Sequence, residues 1–171
     1  MKAFNTESFH FLQFNPNEAV YQDFFKLLTR DKDIADNIKL KEIEEDIKNF
    51  VEGISSFLIT NYNEDFMGIL TLNNGGHQYP SLDWAILKDF RGIRYNNNET
   101  VGSKILREAS NYLLLSDQEL KVLRLYIAEK NISSLNAALH AGFVPFDRVT
   151  YMKRRATDYV PNPPGIIRRS G

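Results

Sequence analysis

The stretch from Val122 to Phe143 constrains the fold of this chain more than any other. Leu123, Leu125 and Ile127 alternate with Arg124, Tyr126 and Ala128, the period-two pattern of a strand with two unlike faces. The strand is read as running from Val122 to Ala128 or Glu129. Ser133 or Ser134 can then cap a helix by accepting a hydrogen bond from a backbone N–H of its first turn. Leu135, Ala138, Leu139 and Gly142 fall at helical spacing, which predicts one apolar stripe facing a core. Gly142 stands where a helix end favours positive φ, and Phe143 opens the next element. A buried strand feeding a helix and a further strand is also the plan of an ordinary β-α-β unit with no ligand, so the pattern needs a second motif.

That motif lies upstream. Ser81-Leu82-Asp83-Trp84-Ala85-Ile86-Leu87 reads as a strand, followed by Lys88-Asp89-Phe90-Arg91-Gly92 and, after an interruption, by Thr100-Val101-Gly102-Ser103-Lys104-Ile105-Leu106. A glycine-bearing loop running into a helix suits a phosphate, because glycine lets the backbone curl and the free N–H groups of the first turn point at the anion. Lys104 and Arg107 sit unfavourably for the helix dipole, which a bound anion would offset; solvated cations on an exposed face are the competing reading.

Together the two motifs resemble those of the GNAT acyltransferase superfamily. Asn131-Ile132-Ser133-Ser134-Leu135 through Gly142-Phe143 is similar to its Asn-x-x-Ser/Ala-aliphatic-x-x-Tyr-x-x-x-Gly-Phe motif, and Arg91-Gly92 with Val101-Gly102-Ser103 is similar to its coenzyme A loop. The resemblance spans residues 4 to 155 and implies an α/β (α+β) fold. The implied sheet is mixed, mostly antiparallel and twisted, with roughly six to seven strands, a splayed parallel central pair and about four flanking helices. It implies acetyl-CoA as co-substrate, with the pantetheine arm between the strands Ser81 to Leu87 and Val122 to Glu129. The positions it assigns to the cofactor are Ala85, Ile86, Arg91, Gly92, Arg94, Val101, Gly102, Ser103, Asn131 and Ser134, and no metal is implied. Asn131 is equally a turn or cap residue.

The chain departs from the pattern twice. Ile93 to Glu99 separates the two halves of the loop, Thr100 stands where the first glycine belongs, and the three asparagines Asn96 to Asn98 predict an extended turn that lets Arg94 reach phosphate. Ala138 occupies the place of the tyrosine that protonates the departing thiolate in relatives. His140, Tyr126 and Tyr151 are the only stand-ins to consider. For the base that an ammonium acceptor requires, with a pKa of roughly 8 to 10.4, Asp83 is the candidate, beside the reading of a strand-end carboxylate in a salt bridge. Ser81 shares its face. The resemblance therefore implies an N-acetyltransferase acting on a primary amine of a small molecule or of a peptide or protein N-terminus. The alternative is a catalytically degenerate GNAT-fold acyl-CoA-binding or regulatory module.

The remaining chain predicts a strand around Phe9, Phe11 and Phe14, then a helix from Glu18 to Leu28 with Val20, Phe24, Leu27 and Leu28 inward. A second helix follows from Leu40 to Ile54, with Ile43, Ile47, Phe50 and Val51 inward. The acidic outer face of that second helix (Glu42, Glu44, Glu45, Asp46, Glu52) either draws a cationic acceptor or is simply solvated. A hairpin joins Ser56–Asn61 to Phe66–Leu72, a turn lies at Asn73 to Gly76, a helix from Gly102 to Leu115 buries Ile105, Leu106, Ala109, Tyr112 and Leu113, and a last hairpin spans Val144 to Lys153.

With 171 residues and 43% hydrophobic content the chain can bury one sizeable core, and a formal charge of −1 gives no pull toward nucleic acid or anionic membrane. Cysteine is absent, which excludes disulfides and thiolate metal sites. Without a signal-type start or a span-length apolar run, a cytoplasmic protein is the expectation. Residues 1–155 are read as the acyltransferase domain and 156–171 as a proline-rich basic tail, either docked on a second subunit as a homodimer contact or disordered.

Overall fold

The computed structural model describes residues 3–49, 53–74 and 79–155. The expectations for Gly75, Gly76 and the tail from Ala156 to Gly171 lie outside those residues. Two compact units partition the chain, one formed by residues 1–77 and 82–93 and the other by 78–81 and 94–171.

The first unit begins with β1 (Phe4–Asn5) and β2 (Phe9–Gln13) and continues through α1 (Ala19–Arg30), α2 (Lys32–Asn37) and α3 (Leu40–Lys48). It closes with β3 (Ile54–Asn61), β4 (Phe66–Asn73) and the body of β5 (Ser81–Ile86). On one face of the strands Phe4 stacks on Phe11 with ring centroids 4.5 Å apart and meets Phe57 edge-on at 5.2 Å. On the other face Phe14, Leu58, Phe66, Ile69 and Ala85 are packed by Phe25 and Leu28 of α1, Ile34 of α2 and Leu40 of α3. Between β3 and β4 the hydroxyls of Ser56 and Thr71 satisfy each other at 2.8 Å inside the sheet.

Helix α1 buries Leu28 and stacks Phe24 on Phe66 at 4.5 Å as expected, but Val20 and Leu27 are 51% and 43% exposed, and Phe25 and the half-buried Tyr21 are drawn in instead. Positions 21, 25 and 28 lie beside 24 on the helix, and Tyr21 and Phe25 pack on Phe14. Helix α3 ends at Lys48 rather than Ile54; Gly53 adopts φ 85° and Ile54 opens β3 opposite Asn73. Its outer carboxylates are partly neutralised, Glu42 by Lys39 at 3.1 Å and Glu44 by Lys48 at 2.7 Å. The expectations for Asp46, Ile47, Phe50, Val51 and Glu52 fall outside the described side chains. The β3–β4 hairpin closes through residues 62–65 as expected, with Glu64 at φ 64°.

The second unit contains β6 (Arg94–Asn96), β7 (Glu99–Thr100), α4 (Val101–Ser116), β8 (Val122–Tyr126), α5 (Ile132–His140), β9 (Val144–Pro145) and β10 (Thr150–Arg154). Helix α4 buries Ile105, Leu106, Ala109, Leu113 and Leu114, whereas Tyr112 is 36% exposed and outside the stripe expected for it. Its C-terminal end is closed by Arg155, whose Nη2 donates to the carbonyls of Asp117 and Leu120. Strand β8 stops at Tyr126, short of Ala128, although Ile127 remains buried. Asn131, not Ser133 or Ser134, caps α5, its Oδ1 accepting from Ser134 N at 3.2 Å. Ala138 is fully buried and Gly142 takes φ 89°, but Leu139 is 49% exposed and outside the stripe expected for it.

Strand order is β1-β2-β3-β4-β5-β8-β10-β9, mostly antiparallel with β5–β8 the parallel pair, and β6–β7 form a separate ribbon. Eight strands exceed the expected number because the two-residue β1 and β9 also pair.

Lys153 of β10 is drawn inward, its Nζ donating to Ser110 Oγ at 2.8 Å and to Ala141 O at 2.6 Å. Burial, with a smaller contribution from Arg107, lowers its pKa from 10.5 to about 8. The folded chain therefore sheds this proton before the unfolded chain does, so stability rises as pH climbs from about 8 towards 10.5. Urea unfolding of the wild type against Lys153→Met is expected to show a difference growing by about 2 kcal/mol over that interval, and a parallel pair of curves would refute the assignment.

Candidate active site

Strand β5 sets the geometry of the first unit. A Cβ built on Gly68 of β4 would lie 2.0 Å from the Ala85 carbonyl oxygen, so the two backbones meet where no side chain fits. Leu87 N donates to Met67 O at 2.8 Å on the same edge. Ala85 and Leu87 thus direct their backbone groups at β4, and strand alternation turns those of Trp84 and Ile86 to the opposite edge. Pro80 shares that parity, and its carbonyl accepts from Arg124 N at 2.9 Å in the second unit. The parallel register of β5 with β8 is Ser81↔Arg124. Of the two residues assigned to the cofactor on this strand, Ile86 turns its N–H away from β4, while Ala85 presents its own to β4.

The Ile86 carbonyl accepts from Arg91 Nε at 2.7 Å, and the Arg91 guanidinium is held further by Asp31 and by Asp33 at 2.7 Å. Asp31 also caps α2 through Ile34 N and accepts from Lys88 N. Burial pushes the Asp31 carboxyl up, but Arg91 and the two backbone N–H groups outweigh it and leave it below the usual carboxylate range. Arg91 therefore locks the turn after β5 to the start of α2. Gly92 follows at φ +69° with open space around its Cα. Arg91 lies 58 and 60 residues after Asp33 and Asp31, so no local pattern announces the cluster.

Asp83 shares the face of Ser81 and Ala85. It is exposed, yet desolvation by the protein packed around it raises its carboxyl above 3.8. A carboxylate that water reaches and that holds its proton more tightly than usual is suited to accept one from an ammonium group.

In the second unit the insertion is a hairpin, β6–β7, rather than an open loop, with Asn97 and Asn98 at its tip. Arg94 Nη1 donates to Asn97 O at 3.1 Å within it. Lys104, expected on a solvated face, is 6% exposed, with its Nζ 3.2 Å from the Tyr95 ring centroid and 3.8 Å from Glu108. Arg107 grips Glu99 through Nε at 2.6 Å and Nη2 at 3.1 Å, and this bond is the main cause of the lowered Glu99 carboxyl. The hairpin is thereby fastened to α4.

Thr100 begins α4 with a reciprocal cap. Ser103 N donates to Thr100 Oγ1 at 3.2 Å, while Ser103 Oγ receives from Thr100 N at 3.0 Å. The Ser103 side chain is consumed by this cap. Helix geometry leaves the N–H groups of Val101 and Gly102 outside the intrahelical ladder, pointing out from the positive end of the dipole. Those two backbone donors suit an anion better than any side chain of the loop.

Asn131 and Ser134 are tied together by the α5 cap. Ala138 is buried with no polar atom to offer. Of the stand-ins, Tyr151 is 9% exposed, Tyr126 is 52% exposed, and His140 bonds Asn136 O at 2.9 Å. His140 lines an open groove of about 540 Å³ together with residues 96–99 and Arg107. Among the described residues there is no cluster of metal-binding side chains, and no helix is long and apolar enough to cross a membrane.

No family model matches the chain, and no curated protein matches it. Solved structures do. A chimera of the Vibrio cholerae spermidine N-acetyltransferase SpeG with hSSAT superposes with a TM-score of 0.62 at 13% identity, covering 86% of this chain and 95% of that one. The Campylobacter jejuni N-acetyltransferase PseH in complex with acetyl coenzyme A gives 0.58 at 13% identity, with 84% and 95% covered.

Proposed function

We propose that this chain, which has the fold of the GNAT N-acetyltransferases, is an acyltransferase that uses acetyl-CoA to acetylate a primary amine of a small molecule or of a peptide or protein N-terminus. The observation that carries the reading is the state of β5: one edge is pressed without a gap on β4 at Gly68, and the other leaves the backbone groups of Trp84 and the N–H of Ile86 turned away from β4. Such an edge suits the amides of a pantetheine arm, which add to it as an extra strand would.

Acetyl-CoA supplies an acyl thioester and a diphosphate. In the first unit an N–H of Trp84 or Ile86 donates to the thioester oxygen as negative charge develops on it. Arg91, anchored by Asp31 and Asp33, keeps the end of β5 rigid while this happens. In the second unit the N–H groups of Val101 and Gly102 hold the diphosphate, with Arg94, Asn131 and Ser134 kept as further cofactor positions there and Gly92 as one in the first unit. Asp83 takes one proton from the acceptor ammonium, directly or through a water. The freed nitrogen bonds to the acyl carbon, the carbon–sulfur bond breaks, and the second nitrogen proton is lost to water. With Ala138 in place of a tyrosine, the sulfur leaves as thiolate and is protonated from water; a thiol pKa of roughly 8.5 makes that departure feasible.

The buried Ala138 also favours a second reading, an acyl-CoA-binding module without turnover. Calorimetric titration with acetyl-CoA is expected to show one saturable site per chain, and no binding would remove both readings. Thiol release in the presence of polyamines, aminoacyl peptides and amino sugars then separates them, since binding without release with any acceptor leaves only the second.

A further inference from the structure

Two buried hydroxyls interrupt an apolar sheet face in the first unit. Ser56 of β3 and Thr71 of β4 are register partners, 2% and 4% exposed, with their hydroxyl oxygens 2.8 Å apart. They share the face of Leu58 and Ile69, two residues away on the same strands, which is the face packed by α1, α2 and α3. A mutual bond uses one of the two hydroxyl hydrogens, and the other still needs an acceptor. The strand on the far side of Ser56 is β2, where Phe14 donates its N–H to Ser56 O at 2.8 Å and adds its ring to the apolar cluster. A phenyl ring is no ordinary acceptor, so Ser56 directs its hydrogen to Thr71, and the Thr71 O–H is left for the β5 side.

Asp83 is what β5 places there. Strands β4 and β5 are antiparallel neighbours, and Leu87 N donates to Met67 O. Two residues along each strand Ala85 comes opposite Ile69, in agreement with their shared membership of the core cluster, and two more bring Asp83 opposite Thr71. Thr71, Ser56 and Asp83 therefore form one row across three strands on a single face. Directly opposed residues hold their Cβ atoms about 4.5–5.5 Å apart, a separation that two short polar side chains bridge through one water. Asp83 has no ion pair and no hydrogen bond among the described residues, and burial is the one cause of its raised carboxyl, so no charged group of α1, α2 or α3 governs it. Its side chain is open to an incoming amine, whereas Thr71 stands behind it in the sheet.

We propose that Thr71 is a positioning residue for the proton transfer, its hydroxyl, set by Ser56, holding against Asp83 the water through which the acceptor ammonium is deprotonated. The inference rests on the acyltransferase reading above and makes its proton path specific. An ammonium N–H bond breaks toward the water oxygen and leaves its electron pair on nitrogen, while the water passes one of its own hydrogens to an Asp83 oxygen. The Thr71 O–H donates to that water oxygen throughout and is not broken.

Thiol release with the acceptor panel and calorimetric titration with acetyl-CoA are measured for the wild type, Thr71→Val, Thr71→Ser and the double variant Ser56→Ala with Thr71→Val. The Asp83 carboxyl is followed by carbon NMR through a pH titration of the wild type and Thr71→Val, a readout that needs no turnover. Expected in Thr71→Val is a fall in kcat of about 10- to 100-fold, the range for losing one hydrogen bond to a charged chain of groups, with the Kd for acetyl-CoA changed less than about threefold. Thr71→Ser keeps the hydroxyl and recovers most of the loss. The double variant, which leaves no hydroxyl unpaired in the sheet, melts near the wild type and loses turnover as Thr71→Val does. The acid limb of kcat/KM and the NMR midpoint of Asp83 both move up in Thr71→Val, because the ionised carboxylate loses the water held for it. A wild-type kcat in Thr71→Val, a loss that Thr71→Ser does not recover, or an Asp83 midpoint that Thr71→Val leaves in place would each overturn the proposal. Absence of acetyl-CoA binding by the wild type would sink the transferase reading and this proposal with it, whereas wild-type turnover matched by Thr71→Val sinks this proposal alone.

Discussion

Replacing Gly68 by Val is expected to lower the melting temperature by about 6–12 °C and to weaken acetyl-CoA binding in the same step. A Cβ at this position would sit 2.0 Å from the Ala85 carbonyl oxygen, 3.0 Å from its carbon and 3.1 Å from the Ile86 Cα, all backbone atoms that no rotamer change can move. Relief requires β4 and β5 to part, which breaks bonds such as Leu87 N to Met67 O and disturbs the Ala85 contact with the α1 core. Overpacking of this kind costs about 3 kcal/mol, a large fraction of a typical stability of about 5–15 kcal/mol. Because β5 also carries Trp84 and Ile86, its displacement shifts the donors proposed for the thioester. Gly142→Ala is the control. Its φ of +89° is left-handed, unlike that of Gly68, and a Cβ there would meet only the Lys153 side chain at 3.5 Å, so backbone strain of about 1–2 kcal/mol is expected, without a matching loss of affinity. A Gly68→Val protein that melts with the wild type would show that the two strands are not in tight contact.

Replacing Asp83 by Asn is expected to reduce kcat by about 100-fold or more while changing the Kd for acetyl-CoA less than threefold, the range for losing a general base. The substitution keeps size and hydrogen bonding at an exposed position and removes only the capacity to accept a proton. Desolvation holds the wild-type carboxyl above 3.8, so the acidic limb of the kcat/KM profile should lie above the ordinary aspartate range and disappear in the variant. The sign follows from the chemistry: the base works ionised, so activity is lost as pH falls through the raised pKa. Unaltered turnover, or an acid limb that persists in Asp83→Asn, would remove Asp83 from the mechanism.

The strands and helices were legible where hydrophobic periodicity was strong, as in Phe9 to Gln13, the β3–β4 hairpin and Val122 to Tyr126. Errors came at helix faces and ends. On α1 the apolar positions exceed one stripe, and Phe14 and Phe66 draw in Tyr21, Phe24 and Phe25 while Val20 and Leu27 stay exposed. The cap of α5 fell to Asn131 instead of a serine, because the helix begins at Ile132 and its Oδ1 is the acceptor in reach of Ser134 N.

What the sequence determined by itself is the order of elements, because burial pattern, cap residues and glycine at a helix end are local properties of the chain. The GNAT-like motifs belong to that class, since a strand, a helix mouth and a Gly-Phe stop can be recognised without knowing what they touch. Charge pairing is different. Arg91, Lys104 and Arg107 read alike as basic residues around a phosphate loop, yet one is bound by Asp31 and Asp33, one is buried against Tyr95, and one is forked onto Glu99. Only tertiary structure assigns those partners, for an ion pair depends on which side chains the fold brings within about 4 Å and on how much water it removes around them. For the same reason the neighbours of Arg124 on its alternating strand, the rings of Tyr79 and Tyr126 among the described residues, are visible only in the fold.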